Sequence, residues 1–384
     1  MLNFTFVQSV RILNGKGCIS QIGELLKQAG YQKAFVVCDK ILETNGVLDK
    51  IRKSFAASRI SSVIYTDVRP DPPADLIEKG AMLCKAESCD CVIGIGGGSS
   101  IDTAKGINIL RFNPGSVLEY AQKPMQHCSG LIAIPTTAGT GSELSNGAIV
   151  SDPEHDVKMP IMCLENMPEY AVLDPELTMT MPYRLTLLTG LDTFSHCYEA
   201  YTSSLSNPMT DLICEKMLET VVEYLPVALA EPENCEAREK MQYAASIGGW
   251  MLYNACAHVG HSIAHVLGAK LHIIHGAACA YDTPVVLKAI STAVPAKVRK
   301  IGELLGAEYT GAENPEEIGV KAAQAYQAFV KRLKLDPIQV DSSGIDDTLL
   351  AELVQSVVNE PFAGLTPVKI EEALTEKMLR EILF

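Results

Sequence analysis

The stretch CDCVIGIGGGSSIDTAKG, residues 89–106, constrains the fold of this chain more than any other. It reads as a strand running into three glycines, which open at once into a helical pattern. Other short apolar runs repeat the strand reading: KAFVVCD (33–39), SSVIYTDV (61–68) and GLIAIPTT (130–137). An amphipathic helical pattern covers 74–88, after the proline-rich turn RPDPPAD. Strand–helix–strand alternation of this kind predicts an α/β domain with a mostly parallel sheet.

After AVLDPEL (171–177) the texture changes. Long helical periodicities take over at 184–204, 208–229, 236–256, 258–268, 285–305 and 315–333, rich in Ala, Leu and Met. The chain therefore divides into an N-terminal α/β domain, residues 1–179, and a C-terminal all-helical domain, residues 180–384. Its 384 residues agree with two domains, at roughly 150 residues each. With 47% hydrophobic and 20% charged residues the composition is globular.

The formal charge of −14 argues against a nucleic-acid partner, which would need a basic stripe. No apolar run approaches the ~20 residues of a membrane span. The opening MLNFTFVQSVRILNGKG has no basic segment followed by an apolar one, so a cytoplasmic location is expected. Twelve scattered cysteines without a CxxC pair read as free thiols and not as the metal site.

Gly96, Gly97 and Gly98 allow close backbone approach to a ligand, and the helix start adds positive dipole, so the loop suits a phosphate. The strict dinucleotide fingerprint fails because position 99 is Ser99, and the P-loop fails because no glycine precedes Lys105 at the right place. The alternative is a structural turn with Ser99 or Ser100 as N-cap and Asp102 in the first turn. A second small, hydroxyl-rich loop, IPTTAGTGSELS (134–145), favours a dinucleotide. Asp39, where KAFVVCD ends, could accept hydrogen bonds from a ribose and repel a 2′-phosphate. It precedes the glycines instead of following them by about 20 residues. Either the topology departs from the usual one or Asp39 merely caps a turn.

HVGHSIAHVLGAKLHIIHG (258–276) carries five of the eight histidines. His261 and His265 share a helix face, His258 extends the stripe, and Gly268 ends the helix. Several imidazoles so close need partners, and a metal is one. In GLDTFSHCYEA (190–200), Asp192 and His196 are again four apart, although Asp192 alone would read as a helix-start acid. One carboxylate with two or three imidazoles suits Fe(II), Zn(II), Mn(II) or Co(II), and the lack of a thiolate weakens any preference for zinc.

On GGGSSIDTAKG, IPTTAGTGSE, DPELT, GLDTFSHCYEAY and GHSIAHVLGAKLHIIHG, in this order along nearly the whole chain, the sequence closely resembles the iron-containing (group III) alcohol dehydrogenases. The resemblance implies a dinucleotide-binding domain followed by a helical metal-binding one. It implies a divalent metal, Fe(II) first and Zn(II) second, held by Asp192, His196, His261 and His275. His265 matches a histidine near the nicotinamide that relays protons, so Asp192 and His265 are expected to carry the chemistry. His258 and His272 fall outside the ligand pattern. Gly96, Gly97, Gly98, Ser99, Thr136 and Thr137 match NAD(H) contacts, with Asp102 and Leu144 beside them. Asp39 matches the acid that disfavours NADP(H), and Lys158 a lysine near the nucleotide or the cleft.

The expected activity is hydride transfer between NAD(H) and a small alcohol/aldehyde pair, a primary alcohol or diol. A homo-oligomer, dimer or larger, is expected from the family's habit. Two rivals remain: a metal-dependent lyase of the dehydroquinate synthase type that uses NAD without net turnover, and a non-catalytic nucleotide or metal sensor. Glycerol dehydrogenases and dehydroquinate synthases keep a three-ligand variant, so the presence of His196 favours the four-ligand branch. MCLENMPEYAV and GGWMLYNACAHVGH depart from the pattern, which leaves the substrate open.

Overall fold

The computed structural model describes residues 3–44, 46–153, 157–338 and 344–384. Two compact units emerge, one from Gln8–Met181 with Glu233–Trp250, the other from residues 3–7 with Pro182–Pro232 and Met251–Phe384.

The first unit is built on a parallel sheet. Its strands are β1 (Arg11–Asn14), β2 (Lys33–Cys38), β3 (Ser61–Tyr65), β4 (Cys91–Gly96), β5 (Leu131–Pro135) and β8 (Tyr170–Leu173), in the order β1-β8-β5-β4-β2-β3. Alternate residues of β2 and β4 feed two different cores. Val36 and Ile93 pack with Ile22 and Leu26 of α1 (Ile22–Gln28) and with Ile51 and Phe55 of α2 (Val47–Ser58). Phe35 and Val92 pack with Ile77 of α3 (Ala74–Ala86) and Ile107 of α4 (Gly98–Phe112). Both faces are covered, which is why these strands read as continuous apolar runs.

The connections have a consequence for binding. The chain leaves β2 through α2 toward β3, but leaves β4 through α4 toward β5 on the other side. The direction of winding reverses between β2 and β4, the place where open α/β sheets bind ligands beyond the carboxyl ends of their strands. A short antiparallel hairpin, β6 (Gly147–Asp152) and β7 (Val157–Met162), lies apart from this sheet. The sequence reading did not contain it.

The stretch Glu233–Trp250, placed in the helical part by its periodicity, belongs instead with the sheet. It forms most of α7 (Cys235–Asn254). Tyr243 and Trp250 pack against Val10, Leu144, Met167, Ala171 and Leu173. Gly249 and Gly141 bring the helix into backbone contact with the 136–145 loop, where any Cβ on Gly249 would collide with the Gly141 carbonyl. Helical periodicity shows that one face is buried; it does not show against what.

The second unit contains α5 (Tyr183–Thr202), α6 (Pro208–Ala230), α8 (Val259–Leu271), α9 (His275–Ile290), α10 (Pro295–Leu304), α11 (Pro315–Arg332), α12 (Asp347–Asn359) and α13 (Glu372–Leu383). No strand follows Leu173 among the described residues. From Thr186 to Thr202, α5 is buried at all but one position, which makes it the central helix of this unit. The single helix expected over 285–305 is two, because Pro295 starts a new one at a position where its missing N–H costs nothing. Gly268 does not end α8; the helix runs to Leu271 and His272 closes it in the left-handed conformation, φ 55°. No helix among the described residues is long and apolar enough to cross a membrane.

Candidate metal centre and nucleotide cradle

The metal candidates come together in the helical unit. Asp192 and His196 sit one turn apart on α5, His261 lies in the first turn of α8, and His275 is the first residue of α9. The Nε2 atoms of His196, His261 and His275 lie 3.6, 3.8 and 3.5 Å from one oxygen, Oδ1 of Asp192. Ligands about 2.1 Å from a tetrahedral ion stand roughly 3.4 Å from one another, so these separations suit a shared cation. Asp192, His196 and His261 keep only 4–5% of their side-chain surface exposed, whereas His275 keeps 42%, which leaves one side of the cluster open.

Electrostatics point the same way. Burial pushes His196 down to about 4 and His261 down to about 3, so both imidazoles are neutral and able to donate a lone pair. Burial opposes ionisation of Asp192, but the imidazoles around it hold its carboxyl below the usual range. His261 Nε2 is buried with no hydrogen-bond partner in the structure. A buried acceptor left unmatched beside a carboxylate and two more imidazoles is what a divalent cation would satisfy. The residues fit a metal.

Glu199, which the sequence reading passed over, supports this cluster from behind. His261 Nδ1–H donates to its Oε1 at 2.7 Å, which leaves Nε2 facing Asp192. The other oxygen accepts the backbone N–H groups of His258 and His261 at 2.7 and 3.2 Å. Residues 192, 196 and 199 follow an i, i+4, i+7 stripe, so a signal for Glu199 was present in the sequence. Glu360, far away in sequence, had none. It accepts from His265 Nδ1–H at 3.0 Å, from the Ser262 hydroxyl at 2.6 Å and from the Phe362 amide at 2.8 Å. His265, 38% exposed, also stacks on His275 with ring centroids 5.4 Å apart.

His258 does not extend the stripe. It occupies the N-cap of α8, buried, and its Nε2–H donates to the Thr202 hydroxyl at 2.9 Å. His272 is exposed at the other end of the helix. Cys279, set aside with the other cysteines, lies against the cluster: with Asp192, His261 and His275 it offers ligand atoms all within 4.8 Å of one another. It follows His275 by four residues, as His196 follows Asp192.

The nucleotide candidates gather in the sheet unit. Asp39, the glycines and Thr136 follow directly on β2, β4 and β5, three neighbouring parallel strands, at their carboxyl ends. Gly96 has φ +145°, and a Cβ there would collide with the Ser100 side chain. Its carbonyl accepts the Thr136 amide at 2.9 Å, joining the two loops. Gly97, not Ser99 or Ser100, holds the N-cap position of α4, and no side chain caps that helix. The Gly98 and Ser99 N–H groups are therefore available to an anion, while that of Ser100 donates to the Gly97 carbonyl at 3.1 Å. A Cβ on Gly97 would sit 3.4 Å from Thr137, so the glycine also keeps the cradle open. Asp39 is exposed and caps the turn that follows it, accepting from the Ile41 amide at 2.8 Å.

Other candidates sit differently. Asp102 lies beyond the first turn of α4, buried, and accepts from the Ile149 amide at 3.1 Å; burial raises its carboxyl. Leu144 is fully buried in the core beside α7. Lys158 forms an exposed ion pair with Asp71 at 2.6 Å. Lys105, buried and pushed down by that burial, donates to the Ser145 carbonyl and hydroxyl at 2.9 and 3.1 Å, so it ties α4 to the second loop.

Known proteins match the chain along most of its length. Residues 9–175 match the iron-containing alcohol dehydrogenase family, and residues 186–383 match the C-terminal region of the Fe-containing alcohol dehydrogenase family. An NAD-dependent methanol dehydrogenase of Bacillus methanolicus is 35% identical over 316 residues, 81% of this chain and 82% of that one. A 1,3-propanediol dehydrogenase of Klebsiella pneumoniae is 30% identical over 374 residues, 96% of this chain and 95% of that one. The crystal structure of a 1,3-propanediol oxidoreductase superposes with a TM-score of 0.93 at 29% identity, over 99% of this chain and 100% of that one. The chain belongs to the iron-containing alcohol dehydrogenase family.

Proposed function

We propose that this protein exchanges a hydride between NAD(H) and a small primary alcohol or diol and its aldehyde, with the nucleotide on the part spanning 1–179 and a metal on the part spanning 180–384. Family membership makes it an NAD-dependent alcohol dehydrogenase. The convergence of three imidazole nitrogens on one Asp192 oxygen carries the metal assignment.

Asp192, His196, His261 and His275 are the proposed ligands, with Fe(II) as the first choice and Zn(II) as the second. A divalent cation there supplies Lewis-acid stabilisation of the negative charge that develops on the substrate oxygen. Glu199 fixes the ring of His261 so that Nε2, not Nδ1, faces Asp192. Glu360 orients His265 in the same way and leaves its Nε2 as the atom that hands a proton to, or takes one from, the substrate oxygen.

On the sheet unit, the amides of Gly97, Gly98 and Ser99 receive the pyrophosphate, and Thr136 and Thr137 flank it. Asp39 accepts from the adenosine ribose and repels a 2′-phosphate. Asp102, Leu144 and Lys158 are assigned to the nucleotide on the family likeness. The same likeness supports a cytoplasmic homo-oligomer of two or more chains.

The test is anaerobic NADH oxidation with a panel of aldehydes and ketones after metal stripping and after return of Fe(II) or Zn(II). Turnover restored by one metal supports the reading and identifies the carbonyl class. Bound NADH and metal with no turnover of any carbonyl would overturn it.

A further inference from the structure

The four proposed ligands do not exhaust the donors at the Asp192 cluster. Cys279 lies on α9 one turn after His275, fully buried. Its Sγ is 3.7 Å from His275 Nε2 and 3.8 Å from Asp192 Oδ1. A thiolate at ~2.3 Å and an imidazole at ~2.1 Å on one tetrahedral ion stand roughly 3.6 Å apart. The sulfur is thus placed as a ligand would be. With Cys279, the residues Asp192, His261 and His275 form a set whose ligand atoms all lie within 4.8 Å of one another, and His196 joins them at 3.6 Å from the Asp192 oxygen. The second observation at this place is independent of the cysteine: His261 Nε2 is buried, without a partner, and faces the same oxygen.

We propose that Cys279 is itself a ligand of the divalent metal, which gives this chain a carboxylate–imidazole–thiolate donor set. This rests on the metal-dependent reading above and extends it. As the metal–sulfur bond forms, the S–H bond breaks and its proton passes to solvent, so loading releases one proton more than the imidazoles and carboxylate would. A soft sulfur donor narrows the preference for Fe(II) over Zn(II) that the imidazoles and carboxylate alone would give. The ordinary role for such a residue, a core thiol donating weakly to Asp192, uses the same position without a bond to the metal.

Co(II) separates the two. The full-length protein, stripped of metal under anaerobic conditions, is titrated with Co(II) and followed by absorption, beside Cys279→Ser and Cys279→Ala. The expected result is one bound equivalent, visible d–d bands in all three proteins, and a near-ultraviolet sulfur-to-cobalt band in the parent alone. The two variants should also shift about tenfold from Zn(II) toward Fe(II) in competition. One bound equivalent with d–d bands but no sulfur band in the parent would overturn the proposal and leave the metal reading standing. A sulfur band that survives in both variants would assign the bond to another cysteine and overturn it too. If no Co(II) is retained by the parent, the metal reading fails, and this inference fails with it.

Discussion

At the scale of single residues, function here is a matter of which atom of a side chain is free. His261 offers Nε2 because Glu199 occupies Nδ1, and Gly260 leaves the space: a Cβ there would lie 2.6 Å from the same Glu199 oxygen. Glu199→Gln should therefore lower metal affinity by about 10–100-fold with little change in fold, read by chelator competition and circular dichroism. Unchanged affinity would show that the ring is held by other means. Asp39 caps a turn, and the proposed function gives the same carboxylate a second role at the ribose. Asp39→Ser keeps a capping hydroxyl and removes the charge. It should raise kcat/KM for NADPH relative to NADH by roughly tenfold, measured in the reductive direction. Spacing joined Asp192 to His196 as an i, i+4 pair but joined His261 to His265, so the choice of His261 and His275 as proposed ligands came from the family resemblance and not from the pattern of residues. Cys279 obeys the same spacing from His275, but one thiol among twelve scattered cysteines carries no signal of its own. Glu360 was illegible: about a hundred residues separate it from His265, and no local pattern joins them.

At the scale of elements, the glycine loop works because of what it lacks. No side chain caps α4, which leaves the Gly98 and Ser99 amides ahead of the first internal bond, Ser100 to the Gly97 carbonyl at 3.1 Å, and the N-terminal dipole adds to them. The sequence showed a strand, glycines and a helix, with a serine cap at Ser99 or Ser100 as the alternative to a phosphate cradle; Gly97 holds the cap position instead. The position of Asp39 ahead of the glycines follows from topology, because β2 and β4 are neighbours in the sheet and the order of strands cannot be read from their sequence. The same limit hid the partner of α7. Gly249→Ala would press this helix off the 136–145 loop, at a cost of about 1–3 kcal/mol. The expected readouts are a Tm lower by several degrees and weaker NADH binding in titration. A variant with parental Tm would show that the contact relaxes freely.

At the scale of the molecule, burying neutral imidazoles ties stability to pH. His258 is held neutral by burial, which pushes it down to about 4 from 6.5, against the opposing pull of Glu199 3.4 Å away. The unfolded chain binds a proton at this residue below 6.5 and the folded one does not until about 4. Stability of the metal-free protein should thus fall as pH drops through that window and level off below it. Denaturant midpoints between pH 7 and 4 measure this, and His258→Gln should flatten the slope. A parental slope in that variant would assign the effect to other groups. Two classes of unit, a parallel sheet and a helical assembly, were legible from periodicity alone. The course of the chain between them was not, because residues 233–250 look as helical as their neighbours.

The proposed chemistry depends on a metal held by Asp192, His196, His261 and His275, which anomalous X-ray diffraction at the iron edge, from crystals grown after Fe(II) loading, would locate. A single strong peak bounded by these four side chains is the predicted result, lost in Asp192→Ala. No peak there, or one elsewhere on the chain with this cluster empty, would contradict the account.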